Sequence, residues 1–547
     1  MDNRLDLFSA TPPLESLKTI CSICASNQSR VDPYKILSID VKRAYFYAKA
    51  ARPVFIEIPI EDYEPGDEHN VGELCLSLYG TRDAAQNWAK EFTTTLEDLG
   101  FITGKASPCN FYQPEKSISM TVHGDDFTAT GPETALEWLK QSMEVKYEIK
   151  SETLGPEKYM SQEIRVLNRI LRWGDHGVEY EPDQRHAEMI IQDMQVAGGK
   201  SVNTPIMNED KNSVEERMKT NELSKADATA YRGLAARLNY LALDRVDLQF
   251  TAKVIAKHMS SPREYDWAAV KRVARYLLGV PRAIQHFYWQ GQPEKIVTFT
   301  DSDWAGDRQD RKSTSGGAVT VGSHMLKSWS STQQIVALSS GEAELYAILK
   351  GAAQTKGMMA MFMDFGMQVS GIVKSDASAA IGMVHRQGLG KVRHIEVQYL
   401  WIQQEVRHNK LQVHKVGTHE NPADVLTKGL KAETMEKHVK SLHVELRQTR
   451  ADMAPRLQEV SGGTADRWLT QSPAAWTRQH NKPRRAMFTP MRVAGSPQNG
   501  GCIGSVRITI GRYANGERFE IVDDWKAADE PHMMLRKPWT GVTTFVN

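Results

Sequence analysis

The sequence predicts a multidomain protein of mixed α/β and α+β class, and three observations carry that prediction. Short runs that alternate or end on acids, such as KILSID and IVTFTD, predict strands with carboxylates at their ends. Residues 296–430 run βββαβ, then α, then βα, an order that packs as a mixed sheet with helices laid against it. Residues 185–285, mostly helical in pattern and punctuated by Pro205, Pro262 and Pro281, stand before that unit.

Taken in order, residues 1–30 read as a polar start and then a helix, ESLKTICSICAS. Residues 34–60 read as strand, helix, strand, with VFIEIPI at period two. After the turn at Pro65-Gly66 come LCLSLYG and a helix near 83–99. Residues near 117–130 read as two strands around a tight turn holding two acids, and 131–148 as a helix. In the 296–430 unit a Gly/Ser turn at 313–317 separates the first two strands; a third strand precedes a long helix near 340–365. Strands at 372–376 and 411–416 bracket helices, and a short helix starts at Pro422. Residues 451–500, rich in Pro, Gly, Arg, Gln and Ser, are expected as linker or disorder. Residues 504–523 are expected as a hairpin around Asn515-Gly516, and 481–487 form a weak basic patch.

With 547 residues there is room for two to four domains, and 41% hydrophobic with 25% charged residues is an ordinary globular balance. The net charge of +1 excludes a global basic field, so a nucleic-acid partner must be held by local patches and metal ions. Five cysteines (Cys21, Cys24, Cys75, Cys109, Cys502) are too sparse for a disulfide framework, and Cys21-x-x-Cys24 reads as two thiols on one helix turn. The segment MDNRLDLFSATPP has no basic or apolar region of a signal peptide, and no run of about 18 apolar residues predicts a membrane span.

Four acids stand where strands end or helices begin. Asp301 follows Val297 and Phe299 on one face of its strand and caps that apolar stripe. Asp376 ends a later strand, and Asp424 opens a helix in NPADVLTK. Ser339-Ser340-Gly341-Glu342 fits a capping box that occupies Glu342, which leaves Glu344 for the site. Each acid alone reads as a helix cap or a solvated turn residue. Together, at matching places of one unit, they read as a cage for two divalent ions about 3.5–4 Å apart, which offset the repulsion of gathered carboxylates. Oxygen-only donors suit Mg²⁺ or Mn²⁺.

The same residues resemble a known family. The segments TDSDWAGDRQDRKSTSGGAV (300–319), SWSSTQQIVALSSGEAELYAI (328–348), VKSDASAAI (373–381), VRHIEVQYLWIQQE (392–405) and NPADVLTKGL (421–430) closely resemble the ribonuclease H domain of copia-type retrotransposon Pol polyproteins. The resemblance implies a metal site on Asp301, Glu344, Asp376 and Asp424, with Asp303 and Asp307 shaping a turn and His419 in a loop assisting product release. Upstream, ILSIDVKRAYFYA (36–48), SLYGTRDAAQNW (77–88) and VHGDDF (122–127) resemble the reverse transcriptase of these elements. They imply Asp40, Asp125 and Asp126 as metal carboxylates, Tyr45 beneath the incoming sugar and a turn at Gly80. Segments 231–250 and 269–279 are similar to the thumb and connection.

The implied architecture is a partial palm/thumb reverse transcriptase followed by a ribonuclease H-like mixed sheet. Its expected parts are a palm over 1–160 with most of the fingers missing, a mostly helical thumb or connection over 161–290, and the nuclease over 295–432. A helix and linker over 433–503 and a hairpin-containing tail over 504–547 follow. The departures are His123 where the family has Tyr in the paired-Asp turn, and KYMSQE (158–163) in place of the primer-gripping segment. With the fingers missing, the triphosphate loses its Lys and Arg partners, so polymerisation is expected to be impaired while the nuclease is complete. The implied partners are an RNA–DNA hybrid and an RNA template with a DNA primer, with two Mg²⁺ (or Mn²⁺) per active site; a homodimer is left open. The implied location is a cytoplasmic virus-like particle or the nucleus. The alternative is an inactive relic that binds nucleic acid or a partner without turnover.

Overall fold

The computed structural model describes residues 9–58, 65, 70–207, 212–390, 394–395, 397–452, 454–455, 488–492, 505–512 and 518–524. Two compact units divide the chain: a larger one of 9–44 and 92–461, and a smaller one of 1–8, 45–91 and 462–547.

Helix α1 (Leu14–Ala25) is buried from Ser16 onward on every side, as befits a core helix. Cys21 and Cys24 lie inside it, both unbridged and with thiols pushed up by burial, which makes them packing groups rather than redox groups. Strand β1 (Tyr34–Val41) follows. Strands β2 (Phe55–Glu57) and β3 (Asn70–Leu74) belong to the smaller unit. Helix α2 (Ala84–Asp98) leads to β4 (Ile102–Thr103), β5 (Asn110–Gln113), β6 (Ile118–His123) and β7 (Asp126–Pro132). Helix α3 (Glu133–Lys146) buries Ala135, Leu136, Leu139 and Met143, one helical stripe, and β8 (Ile149–Leu154) completes a six-stranded sheet of order β4-β5-β6-β7-β1-β8.

Three short strands come next: β9 (Glu163–Val166), β10 (Arg169–Gly174) and β11 (Gly177–Glu181). The expected helices then appear as α4 (Arg185–Asp193), α5 (Ser213–Lys219), α6 (Lys225–Ala242), α7 (Gln249–Lys257) and α8 (Glu264–Gly279). Strand β12 (Arg282–Tyr288) turns back to pair with β11. The strands β9 to β12 were not foreseen in the range read as mostly helical. They run only four to seven residues, and their charged residues pair across the sheet instead of marking loops: Glu181 accepts from Arg172 and Arg282, each at 2.6 Å.

The nuclease-like unit is built from β13 (Lys295–Asp303), β14 (Thr314–Val321), β15 (His324–Thr332), α9 (Ser340–Asp364), β16 (Ser370–Ser375), α10 (Ser378–His385), α11 (Trp401–Arg407) and β17 (Gln412–Lys415). Its sheet has the order β15-β14-β13-β16-β17, with β13–β16 and β16–β17 parallel and the remaining pairs antiparallel, which is the mixed sheet expected. Helix α12 (Ala432–Ser441) precedes β18 (Val444–Arg447), an edge strand paired with β12, where the sequence reading placed a helix running into a linker.

The larger unit packs its parts on shared cores. One cluster joins α1 and β1 to β9–β12, to Val319 and Leu326 of the nuclease sheet, and to Phe362 of α9. At the C-terminus of α9, Asp364 accepts backbone N–H groups of Lys105 (2.7 Å), Ala106 (3.0 Å) and Ser107 (2.9 Å). A carboxylate at a helix C-terminus is unfavourable against the helix dipole, and these three donors offset it. His324, fully buried on β15, meets Ser22 Oγ of α1 at 2.8 Å through Nδ1 and donates from Nε2 to the Tyr288 carbonyl at 2.8 Å.

In the smaller unit, β19 (Phe488–Arg492), β20 (Ser505–Arg512) and β21 (Arg518–Asp524) complete a five-stranded sheet of order β19-β3-β2-β21-β20. The expected hairpin is present as β20–β21; its Asn515-Gly516 turn and the 481–487 basic patch lie outside the described residues, as does most of the 451–500 stretch. Among the described residues, no helix is long and apolar enough to cross a membrane.

Candidate active sites

On β13 the residues most completely buried are Ile296, Thr298 and Thr300, with Val297 and Phe299 only half-buried. The better-covered face is thus the one opposite the expected stripe, because α9 lies on it. The Thr298 and Thr355 hydroxyls meet at 2.6 Å, and Gly351 lets the helix approach: a Cβ there would sit 2.3 Å from Thr300 Cγ2. Glu344, Ile348, Gly351 and Thr355 recur at steps of four, three and four, so Glu344 shares the stripe facing the sheet. Glu342, two residues earlier, faces away. Ser339 Oγ accepts from its N–H at 3.2 Å, as the capping reading expected. Its carboxylate, however, reaches Leu338 N–H (2.9 Å), one residue beyond the cap, and also meets Tyr346 and His394.

Asp301, Glu344 and Asp376 each place a carboxylate oxygen within 4.8 Å of the others, the one such group of acids, His or Cys among the described residues able to hold an ion. Asp301 is 3% exposed and Glu344 8%. Glu344 accepts from Ser302 N–H at 3.1 Å and from Ser375 Oγ at 3.4 Å, which ties it to both strand ends. Burial first, then the charges of Asp301 and Asp376, push Glu344 up to about 8. Asp301 is also raised, by burial first, with Lys428 opposing and Asp424 reinforcing the shift. Three carboxylates gathered this closely repel one another, a repulsion that a divalent ion would offset.

Asp424 lies in a short 3₁₀ turn (Pro422–Leu426), not at the start of an α-helix, and is not part of that three-oxygen group. It joins the cluster through Lys428, whose Nζ sits 3.0 Å from Asp424 Oδ1 and 3.5 Å from Asp301 Oδ2. The sequence reading missed Lys428; its i+4 spacing from Asp424 was the available signal. Thr427 Oγ donates to Asp301 as well. Asp307 shapes its turn as expected, accepting from Gln309 N–H at 3.0 Å and Asp310 N–H at 3.3 Å. His419 is exposed on the loop before Asp424, and Lys437 donates to its carbonyl.

In the palm sheet, Asp40 of β1 stands directly opposite Asp126 of β7, and Asp125 lies in the β6–β7 turn. Gly124, at φ +66°, takes the first central position of that two-residue turn, the place where left-handed backbone favours glycine. Burial, then Asp125 and Asp40, push Asp126 up to about 7, and Asp40 is raised by burial and by Asp125. Tyr45 and Gly80 belong to the smaller unit, where Tyr45 stacks on Tyr79 at 4.3 Å and Gly80 turns the chain at φ +96°.

A palm-like antiparallel sheet with paired acids, joined to a mixed sheet carrying a carboxylate cluster, is the arrangement that the reverse transcriptase and ribonuclease H resemblance implied. The sequence profile of the reverse transcriptase (RNA-dependent DNA polymerase) family matches residues 2–208. The chain is 27% identical over 432 residues to the retrovirus-related Pol polyprotein from transposon TNT 1-94 of Nicotiana tabacum, covering 77% of this chain and 31% of that protein. The Pol polyprotein from transposon RE2 of Arabidopsis thaliana is 27% identical over 445 residues, covering 77% of this chain and 29% of its own. Residues 2–208 thus carry a reverse transcriptase-family domain, and the chain is a homologue of copia-type transposon Pol polyproteins; it spans less than a third of those two relatives. Among solved structures, LC11-RNase H1 from compost matches 27% of this chain and 99% of its own at 18% identity (TM-score 0.19). The foamy viral protease-reverse transcriptase in complex with double-stranded DNA matches 73% and 61% at 10% identity (TM-score 0.17).

Proposed function

We propose that the nuclease-like unit hydrolyses the RNA strand of an RNA–DNA hybrid with divalent-metal assistance. The observation that carries this reading is the convergence of Asp301, Glu344 and Asp376 from a strand, a helix and a strand end into one group of oxygens. The donor set is all carboxylate, which fits Mg²⁺ or Mn²⁺ better than zinc. Asp301, Glu344 and Asp376 would hold the ions, with Asp424 completing the set; the ions supply an activated water and charge stabilisation at the leaving 3′ oxygen. The residues' own work is to keep four acids close while Ser302, Ser375 and Thr427 orient them. The palm carboxylates Asp40, Asp125 and Asp126 support a nucleotide-adding site by the same chemistry, with an RNA template and DNA primer as substrates.

Lys428 favours a second reading, a folded hybrid-binding protein without turnover, because its ammonium already balances Asp301 and Asp424 without a metal. Incubation of the protein with a hybrid and Mg²⁺ decides between them. RNA cleavage that disappears in Asp301→Asn and Glu344→Gln supports the nuclease; binding with no cleavage supports the second reading. Primer extension tests the palm separately.

A further inference from the structure

Strand β15 lies at the edge of the nuclease sheet, and the chain crosses from its end to α9, which carries Glu344. That crossing packs little: Ile335, Val336 and Leu338 are exposed, and Ala337 is the buried exception. A segment with so few buried contacts cannot by its own packing fix where the first turn of α9 begins. The residue that opens the crossing can. Gln333 is only 8% exposed. Its backbone N–H donates to the Ser313 carbonyl at 2.8 Å, which carries the β14–β15 pairing one step past both strands.

The Gln333 side chain reaches back across the sheet. Its Nε2 donates to Ser315 Oγ of β14 at 2.9 Å, to Ser302 Oγ of β13 at 3.2 Å and to the Ala343 carbonyl of α9 at 2.8 Å. One amide thus touches three elements. Two of these contacts adjoin the carboxylates. Ser302 follows Asp301 and gives its own N–H to Glu344 at 3.1 Å; Ala343 precedes Glu344. Ser302 and Ser315 stand directly opposite in the ladder, so their side chains share a face. The amide's orientation is forced: with nitrogen and oxygen exchanged, Oε1 would meet the Ala343 carbonyl, acceptor against acceptor.

Gln333 Oε1 is buried without a hydrogen-bond partner among the described residues. A buried amide oxygen in that state destabilises the fold, and an apolar side chain of similar length would not incur that cost. Packing alone therefore does not account for a glutamine here. What its N–H groups supply is a fixed spacing between β13 and the first turn of α9. We propose that Gln333 is a positioning residue of the carboxylate cluster. It holds Ser302 and Ala343 at the separation at which Asp301 and Glu344 can share a divalent ion, and it acts through them rather than as a ligand. The inference rests on the nuclease reading for the reaction, but not for the metal affinity.

The test is a calorimetric Mn²⁺ titration of the full chain, with the palm acids silenced by Asp40→Asn and Asp126→Asn so that the nuclease cluster alone responds. In that parent, Gln333→Met, similar in length but without donors, should weaken Mn²⁺ binding about tenfold, the weight of a hydrogen-bond partner behind a metal ligand. Its thermal unfolding midpoint should equal or exceed the parent's, because the orphaned oxygen is gone. Ser315→Ala, whose hydroxyl meets Gln333 and none of the three acids, should weaken binding a few-fold alone. It should add nothing to Gln333→Met, since both remove one contact. On a hybrid with Mg²⁺, Gln333→Met should lower kcat about tenfold and leave KM unchanged. Unchanged Mn²⁺ affinity in Gln333→Met, a loss matched by a lowered unfolding midpoint, additive losses in the double variant, or no Mn²⁺ uptake by the parent overturns the proposal. A parent and Gln333→Met that cut equally well remove the role of Gln333 and leave the nuclease. Affinity that falls in Gln333→Met, in a protein that never cuts, keeps Gln333 and removes the nuclease.

Discussion

At the nuclease end of the larger unit, Asp301, Glu344 and Asp376 arrive from three separate elements and bring their oxygens within 4.8 Å of one another. In the palm, Asp40 comes from β1, Asp126 from the neighbouring β7 and Asp125 from the β6–β7 turn, and among the described residues they do not form such a group. Asp126 is held opposite Asp40 by strand pairing, while the direction of Asp125 is fixed by the tight β6–β7 turn. A helix laid across a sheet has no such constraint and can aim Glu344 at a strand end. The nuclease acids also carry a cation of their own in Lys428, whereas burial and mutual repulsion alone dominate the shift at Asp126. Convergence from distant elements gives tighter clustering and demands more of the surrounding packing.

That contrast can be broken first at the carboxylates. Asp301→Asn and Glu344→Gln should each lower Mg²⁺-dependent RNA cleavage about a thousandfold, the several kcal/mol that metal assistance contributes, measured on a hybrid substrate. Asp40→Asn should leave cleavage unchanged. Equal losses in all three would make the two sites one functional system.

The packing that supports the nuclease acids is tested next. Asp364→Ala strands the N–H groups of Lys105, Ala106 and Ser107. It should cost about 3 kcal/mol or more of stability, read from denaturant unfolding, and a change under about 0.5 kcal/mol would show that the palm loop does not anchor α9.

His324 gives the pH dependence. Burial holds its ring below the ordinary value of 6.5, down to about 4. The folded state therefore prefers the neutral ring: its contribution is complete above pH 6.5 and is lost as pH falls from 6.5 towards 4. Stability should drop by about 2–3 kcal/mol across that window on this account, and His324→Gln should flatten the profile; an equally steep profile in that variant assigns the acid sensitivity elsewhere.

The smallest effect sharpens the difference between the two acid sets. Lys428→Met removes a competing positive charge and should tighten Mn²⁺ binding at the nuclease cluster a few-fold, about the weight of one partly screened charge, by calorimetry. Weaker binding would mean that Lys428 organises the acids rather than competing for them.

Much of this was legible from residue order. Period two and period 3.6 are local properties, so β1, β13, α9 and the acids at their ends could be placed from the chain alone, and the Ser339 cap separated Glu342 from Glu344. The strands β9 to β12 were not legible, because four to seven residues carrying Arg and Glu look like solvated chain until Arg172 and Arg282 are seen to share Glu181. β18 was hidden for a related reason: its partner, β12, lies more than 150 residues away, and no local pattern encodes such a pairing.

By itself, then, the order of residues determined which acids the site could use and which elements carry them. Only the tertiary structure decided that three of those acids meet while Asp424 reaches them through Lys428, and that Asp364 is cradled by a palm loop. The physical reason is range: backbone conformation and amphipathic period are set within a turn or two of chain. The meeting of charges depends on which distant surfaces are buried against each other.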